Sequence, residues 1–308
     1  MIDDAGRRRG VRLLALSVCA LSLLVVAVSA YLRLDAAGMG CADWPACYGR
    51  VLAGDPAPLH YGFPRLLHRL AASSALLLTC LLVWRSLRPT PLVPAARYAV
   101  LLLLLMLALS ALGFASADPR RALVGFLNIV GGLGLVSFSW RVAMAAGERA
   151  AGTATRHPLA LRFGALALSV TVMLGAWIGA TYAAIACDSL PACGWPTADA
   201  WQALNPLFRP RAAAQPGDAG GALLHLLHRG FAVIAVATLA AVALVRLKRS
   251  TAHAAGSRRG PVMLLILLGL VFGLGLAAVS SGLHLWLVVA HGLAAALLLA
   301  AVAGFLRR

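Results

Sequence analysis

Charged side chains are scarce in this sequence. Of its 308 residues, 12% are charged and 61% are hydrophobic, and the mean hydropathy is +0.87. A soluble globule of this size needs more polar surface than this composition supplies. The composition therefore excludes a soluble enzyme and predicts a polytopic protein of the lipid bilayer.

Acidic residues are rarer still, with 10 Asp and Glu against 27 Lys and Arg. All ten lie in loops or near the ends of apolar runs, which disfavours a transporter that needs acidic groups inside the membrane. The basic residues precede the first apolar run, fill alternate gaps and close the chain, which is the positive-inside pattern. We therefore expect a bacterial inner-membrane protein with both termini in the cytoplasm, and no nucleic acid as a partner.

Eight apolar runs are long enough to span a bilayer, which takes about 20 residues each. They are residues 11–33, 66–87, 95–115, 121–146, 160–185, 222–246, 260–280 and 284–306. The first run is longer than the core of a signal peptide, which is about 7–15 residues. Its removal would also leave an odd number of spans, so we interpret it as the first helix.

The two halves of the chain echo each other. LLHRLAASSALLL, with His68, and LLHRGFAVIAVAT, with His228, lie about 160 residues apart, and each half holds a C-x5-C pair. Four spans in each half predict an all-α membrane fold of two parallel four-helix-bundle repeats. The halves are residues 1–147 and 159–308, joined by a cytoplasmic linker at 148–158.

Two cysteine pairs lie in the longest gaps between spans. Cys41 and Cys47 follow the first run, and Cys187 and Cys193 follow the fifth. Both gaps face the oxidising side in the predicted topology, which favours two local disulfides. A thiol metal site or a redox couple is the alternative reading, and the sequence does not choose between a permanent crosslink and a switch.

Glycines are dense in several spans. They are Gly131, Gly132 and Gly134 in the fourth run, Gly175 and Gly179 in the fifth, and Gly269, Gly273 and Gly275 in the seventh. Lipid gives helices no hydrophobic drive to associate, so small residues usually mark close helix contacts. We predict that role for these glycines.

Two histidines of the second half lie at one depth. His228 is six residues into the sixth run and His291 seven residues into the eighth, so each imidazole lies about 10 Å below the outer surface at 1.5 Å per residue. Two histidines at one depth on different helices suit the axial positions of a haem iron. A zinc site would need further ligands, which His225 and His284 could supply, and hydrogen bonds between packed helices are the plainer alternative.

The first half differs at one of these positions. His68 corresponds to His228, but Asn128 stands where the second half has His291. Asparagine is a poor iron ligand, so a haem bound there would keep an open position at which a substrate can react. The alternative is that Asn128 only joins helices by hydrogen bonds. His60, in the preceding loop, either reaches this pocket or is solvated.

Five features together make the chain resemble the haem A synthase family. They are GMGCADWPACYG after the first span, His-Arg at 68–69, the second C-x5-C, His-Arg at 228–229, and WLVVAHGLAAALL in the last span. The resemblance covers nearly all 308 residues, including the span count and the duplication. It implies an oxidoreductase that converts the C8 methyl of haem O to the formyl group of haem A for cytochrome oxidase biogenesis.

The resemblance also implies roles for single residues. His228 and His291 are similar to the ligands of haem b, and His68 is similar to the histidine that holds the substrate, haem O. Arg229 and Arg69 directly follow two of these histidines, and each either pairs with a carboxylate at its haem site or is an interfacial residue that extends its charge toward the membrane surface. The implied partners are the lipid bilayer, haem O, haem O synthase and the cytochrome oxidase assembly machinery.

Two positions depart from the family pattern. The family usually has histidine at the position of Asn128 and glutamate at the position of Arg65, three residues before the first His-Arg pair. Arginine cannot act as a base, although it can hold a propionate. Two hypotheses follow: an enzyme whose catalytic groups include His68, Asn128 and Arg65, or a non-catalytic b-haem-binding protein or oxidase assembly factor.

Overall fold

The computed structural model describes residues 4–54, 61–115, 118–147, 159–187, 190, 193–194, 196–249 and 258–306. Within these ranges eight helices are long and apolar enough to cross a membrane, and the structure contains no strand. They are α1 (Asp4–Ala36), α2 (Gly62–Leu87), α3 (Val93–Ala115), α4 (Ala122–Gly147), α5 (Leu159–Ala180), α6 (Ala219–Arg249), α7 (Arg259–Ser280) and α8 (Leu285–Phe305). The predicted all-α membrane fold and its eight spans are confirmed.

The helix bounds differ from the predicted runs at several ends. α1 begins seven residues earlier than the apolar run, since polar residues continue the helix beyond its apolar part. α5 ends at Ala180, five residues early, because Tyr182 takes a left-handed conformation (φ 56°) and the Ala183 N–H bonds back to the Ile178 carbonyl at 3.0 Å. That pattern ends a helix. The predicted linker 148–158 and His60 lie outside the described residues.

The helices form where the sequence provides an apolar run and a suitable first turn. Pro64, Pro94 and Pro261 each stand in the first turn of a helix, where their missing N–H leaves no hydrogen bond unmade. Inside the runs, every backbone polar group can bond within its own helix, which the membrane interior requires. Exposed leucines such as Leu77 and Leu104 then face outward, as lipid-facing residues do.

Packing divides the helices into two groups. One apolar cluster draws only on α1–α4 and a second only on α5–α8. A third cluster joins the groups through α1, α4 and α8, around Cys19, Val136 and Ala296. In the first group α1 packs closely along α4, whereas the corresponding helices of the second group, α5 and α8, touch only sparsely. The division into two repeats stays a prediction.

The end of the bundle that carries the four loop cysteines is called the cysteine face here. On this face the loop after α1 packs against the second group of helices. Trp44 Nε1 donates a 2.8 Å hydrogen bond to the Gly282 carbonyl, between α7 and α8. Tyr48 packs against Tyr182, with ring centroids 6.3 Å apart. The first loop therefore ties the two groups of helices together.

At the opposite end, Arg7 ties the start of α1 to the end of α2. Its guanidinium donates to the carbonyls of Arg85, Ser86 and Thr90 at 3.1, 3.2 and 2.7 Å, and the side chain is buried. The last carbonyls of a helix have no partner within it. Arg7 supplies one and holds the turn into α3.

We expect Arg7→Ala to destabilise the protein by about 2 kcal/mol, because buried carbonyls lose bonds to a charged donor. Thermal unfolding in detergent measures this as a lower Tm. Arg9→Ala, which removes an exposed arginine from the same turn, is the control and should leave the Tm unchanged. Equal Tm values for the two variants would contradict the assigned role of Arg7.

Candidate haem-binding site

The imidazoles of His228 on α6 and His291 on α8 face each other inside the second group of helices. Their ring centroids are 6.5 Å apart and their planes are inclined by 72°. A metal bonded at about 2 Å to one nitrogen of each ring would set the ring centres roughly 6 Å apart. The observed spacing therefore fits one metal ion between the two rings.

The backbone fixes which nitrogen each ring offers. His228 Nδ1 lies 2.9 Å from the Thr171 carbonyl of α5, and His291 Nδ1 lies 3.0 Å from the Val271 carbonyl of α7. A carbonyl only accepts, so each Nδ1 must carry the proton. Each Nε2 then has a lone pair available to bind a metal. A hydrogen bond from the other ring nitrogen to a carbonyl is also what orients metal-binding histidines in general.

Two glycines leave the space that these rings occupy. A Cβ on Gly175 would lie 3.0 Å from His228 Cε1, and a Cβ on Gly275 would lie 3.1 Å from His291 Cε1. Both glycines therefore lie where a neighbouring helix comes close, and the group that fills the space is a histidine ring. Gly269 and Gly273 have nothing within 4 Å of an added Cβ, so the predicted close contact is wrong for these two.

The other nearby histidines are engaged elsewhere or exposed. His225 is buried, with Nε2 at 3.0 Å from the Ala183 carbonyl, so it holds the turn after α5. His284 is exposed at the start of α8. Across the described residues there is no group of three His, Cys, Asp or Glu side chains placed to bind a metal ion. Two opposed imidazoles without a third ligand suit haem iron, whose porphyrin supplies the other four donors, better than zinc.

The predicted cysteine partners lie together on the cysteine face. Cys41 is paired with Cys47 and Cys187 with Cys193. Arg229 follows His228 and donates to Cys193 Sγ at 3.5 Å and to the Cys187 carbonyl at 3.4 Å. Arg229 thus fastens the second cysteine loop above the histidine pair.

In the first group of helices His68 and Asn128 are both half-buried, and neither side chain forms a hydrogen bond with any part of the chain that the structure describes. Arg69, beside His68, is exposed. Arg65 is also exposed, with its guanidinium 5.4 Å from the centre of the Tyr61 ring. The structure does not bring His68, Asn128 and Arg65 into one bonded cluster.

Sequence reasoning missed a carboxylate near this site. The Tyr61 hydroxyl donates a hydrogen bond to Asp35 at the end of α1. Burial raises the pKa of Tyr61 and Asp35 raises it further, so the phenol stays neutral. The pattern of apolar runs does not single out Asp35, because this residue lies just beyond the first run. A signal existed: it is the acidic residue nearest the end of that run.

We expect His228→Ala and His291→Ala each to abolish the low-spin b-haem absorption of the purified protein, because either change leaves the iron with a single imidazole. His284→Ala, which alters an exposed histidine at the start of α8, is the matched control and should keep the full spectrum. Optical spectra of the reduced proteins measure this. A wild-type spectrum from either of the first two variants would refute the ligand assignment.

Comparison with known proteins places this geometry in a family. The model of a family described as cytochrome oxidase assembly protein, COX15-CtaA, matches residues 12–63 and 123–303, which include both histidines of the facing pair. The chain is 32% identical over 307 residues to heme A synthase of Shewanella oneidensis, with 90% of each chain covered. The resemblance inferred from the sequence is confirmed: this membrane protein belongs to the haem A synthase family of cytochrome oxidase assembly proteins.

Proposed function

We propose that this protein is a haem A synthase, an oxidoreductase that converts the C8 methyl of haem O to the formyl group of haem A. A role in haem A biosynthesis for cytochrome oxidase follows from its family and its relative. The observation that carries the proposal is the facing pair of imidazoles 6.5 Å apart, each with its Nδ1 on a backbone carbonyl.

His228 and His291 would hold a resident haem b. When bound by two histidines, such a haem supplies one-electron transfer and keeps no open position for a substrate. The Thr171 and Val271 carbonyls keep both rings in the ligating tautomer. The exposed, lipid-facing side chains around the bundle suit a substrate with a long apolar tail, which enters from the membrane.

The first group of helices would take haem O as substrate, with His68 as the ligand to its iron. Tyr61, Arg65 and His68 follow one another at spacings of four and three residues, so they share one face at the start of α2. Arg65 is suited to a propionate. In this proposal Asp35, which accepts from Tyr61, supplies a carboxylate near that face, where arginine replaces the usual glutamate.

The second candidate function is a non-catalytic b-haem-binding membrane protein or oxidase assembly factor. Asn128 favours it, because its amide offers the substrate iron no imidazole and no hydrogen bond from a described residue orients it. Both functions share the haem held by His228 and His291, and only the enzyme forms a formyl group.

Position in the cell is part of the proposal. The arginine clusters favour the bacterial inner membrane with both termini in the cytoplasm, which puts the cysteine face and the histidine pair toward the periplasm. Haem O synthase and the oxidase assembly machinery are the expected partners, as donor of the substrate and recipient of the product.

Expression in a host that makes haem O but no haem A tests the enzyme directly. We expect formyl haem in the extracted pigments only when this protein is present, because the host has no other route to it. His68→Ala should keep the b-haem spectrum and lose the formyl haem. Chromatography of the extracted haems measures both. A wild type that carries b-haem without forming haem A would establish the second candidate instead.

A further inference from the structure

Arg33 occupies the junction between the two groups of helices. It belongs to the last turn of α1, is half-buried, and lies with its Nη1 3.1 Å from where a Cβ on Gly179 of α5 would stand. Ile129 of α4 touches the same spot. A guanidinium from the first group thus reaches a helix of the second, and Gly179 leaves the room for it.

No charged group among the described residues balances Arg33. Its side chain forms no ion pair and no hydrogen bond with any of them, and the titratable groups that interact with it electrostatically are Tyr48 and Tyr182. Burial raises the pKa of Tyr48, although the Ala184 backbone and Arg33 oppose that rise. Burial also raises the pKa of Tyr182 against the effect of Arg33. Both phenols therefore stay neutral and cannot balance the guanidinium.

A half-buried cation with no partner among the described residues is unfavourable, so its position favours an anion that the protein binds. The backbone around it is itself constrained. Tyr182 takes a left-handed conformation that glycine normally provides at a helix end, which costs about 1–2 kcal/mol for a residue with a side chain. The strain places the Tyr182 ring beside Arg33 and Tyr48.

The position of Arg33 relative to the histidine pair identifies the anion. Gly179, which contacts Arg33, and Gly175, which contacts His228, are four residues apart on one face of α5. At 1.5 Å per residue, Arg33 lies about 6 Å nearer the cysteine face than the His228 ring. A porphyrin held between His228 and His291 would have its charged carboxylates favoured at the edge nearest the polar surface, which is the side of Arg33.

We propose that Arg33 reaches across the junction and binds a propionate carboxylate of the porphyrin held by His228 and His291. This inference rests on the haem-binding part of the proposed function. Guanidinium and carboxylate form paired, charge-assisted hydrogen bonds, and Tyr48 and Tyr182 enclose them from the cysteine face. One half of the chain thereby completes the cofactor site of the other.

Redox titration and haem loss from the purified holoprotein test this inference. Arg33→Met should shift the midpoint potential of the b-haem to more negative values, because removal of a positive charge favours the oxidised iron. Haem dissociation should become roughly ten- to a hundredfold faster, as expected for loss of a charge-assisted bond. Arg33→Lys should recover part of both effects. Arg121→Met, which removes an exposed arginine paired with Asp118, is the matched control.

A second variant and an esterified haem complete the test. Gly179→Ala is the second variant, for use if Arg33→Met does not accumulate. It crowds the Arg33 guanidinium without removing it, and it should shift the midpoint potential in the same direction as Arg33→Met but by less. Reconstitution with protohaem dimethyl ester removes the carboxylates instead, so wild type and Arg33→Met should then lose haem at the same rate. A difference in haem dissociation that persists with the ester, or wild-type values for Arg33→Met with protohaem, overturns the inference alone. A wild type without b-haem overturns it together with the proposed function.

Discussion

The site depends on one constraint, which is that two imidazoles from different helices face each other with their Nε2 atoms free. Four helices contribute to it. α6 and α8 bring the rings, while α5 and α7 each provide a backbone carbonyl that accepts a hydrogen bond from the Nδ1–H group and a glycine that leaves room for the ring. A shift of any of these helices would break a hydrogen bond or close the space. The packing of the second group is therefore also the geometry of the ligand set.

The two groups of helices differ in a way that matches different tasks. α5 and α8 touch only sparsely, with the histidine pair in this region, whereas α1 and α4 pack closely. In the proposed function, the second group offers two fixed ligands, which suits electron transfer, and the first offers His68 alone, which suits a substrate that must leave again. Tyr31 of α1 stacks on Trp286 of α8 at 5.4 Å, so the two groups meet through aromatic rings as well.

Much of this architecture could be predicted from the sequence, because the bilayer reduces the problem to long apolar runs and their charges. Counting residues along straight helices puts His228 and His291 at one level, and the structure brings their rings together. Their hydrogen bonds could not be predicted, since Thr171 and Val271 contribute backbone carbonyls that any residue has. Gly175 and Gly275 predict close helix contacts, but small residues do not indicate which group fills the space that they leave. Arg33 resembled an ordinary interfacial arginine, and only packing shows that it crosses to Gly179.

The central claim is that one iron atom is bound between the imidazoles of His228 and His291. Electron paramagnetic resonance of the oxidised, purified protein tests it most directly, since the signal reports both axial ligands at once. We expect a low-spin ferric signal of a haem with two imidazole ligands. A high-spin ferric signal as the main species, or no haem signal from protein that is otherwise intact, would contradict it.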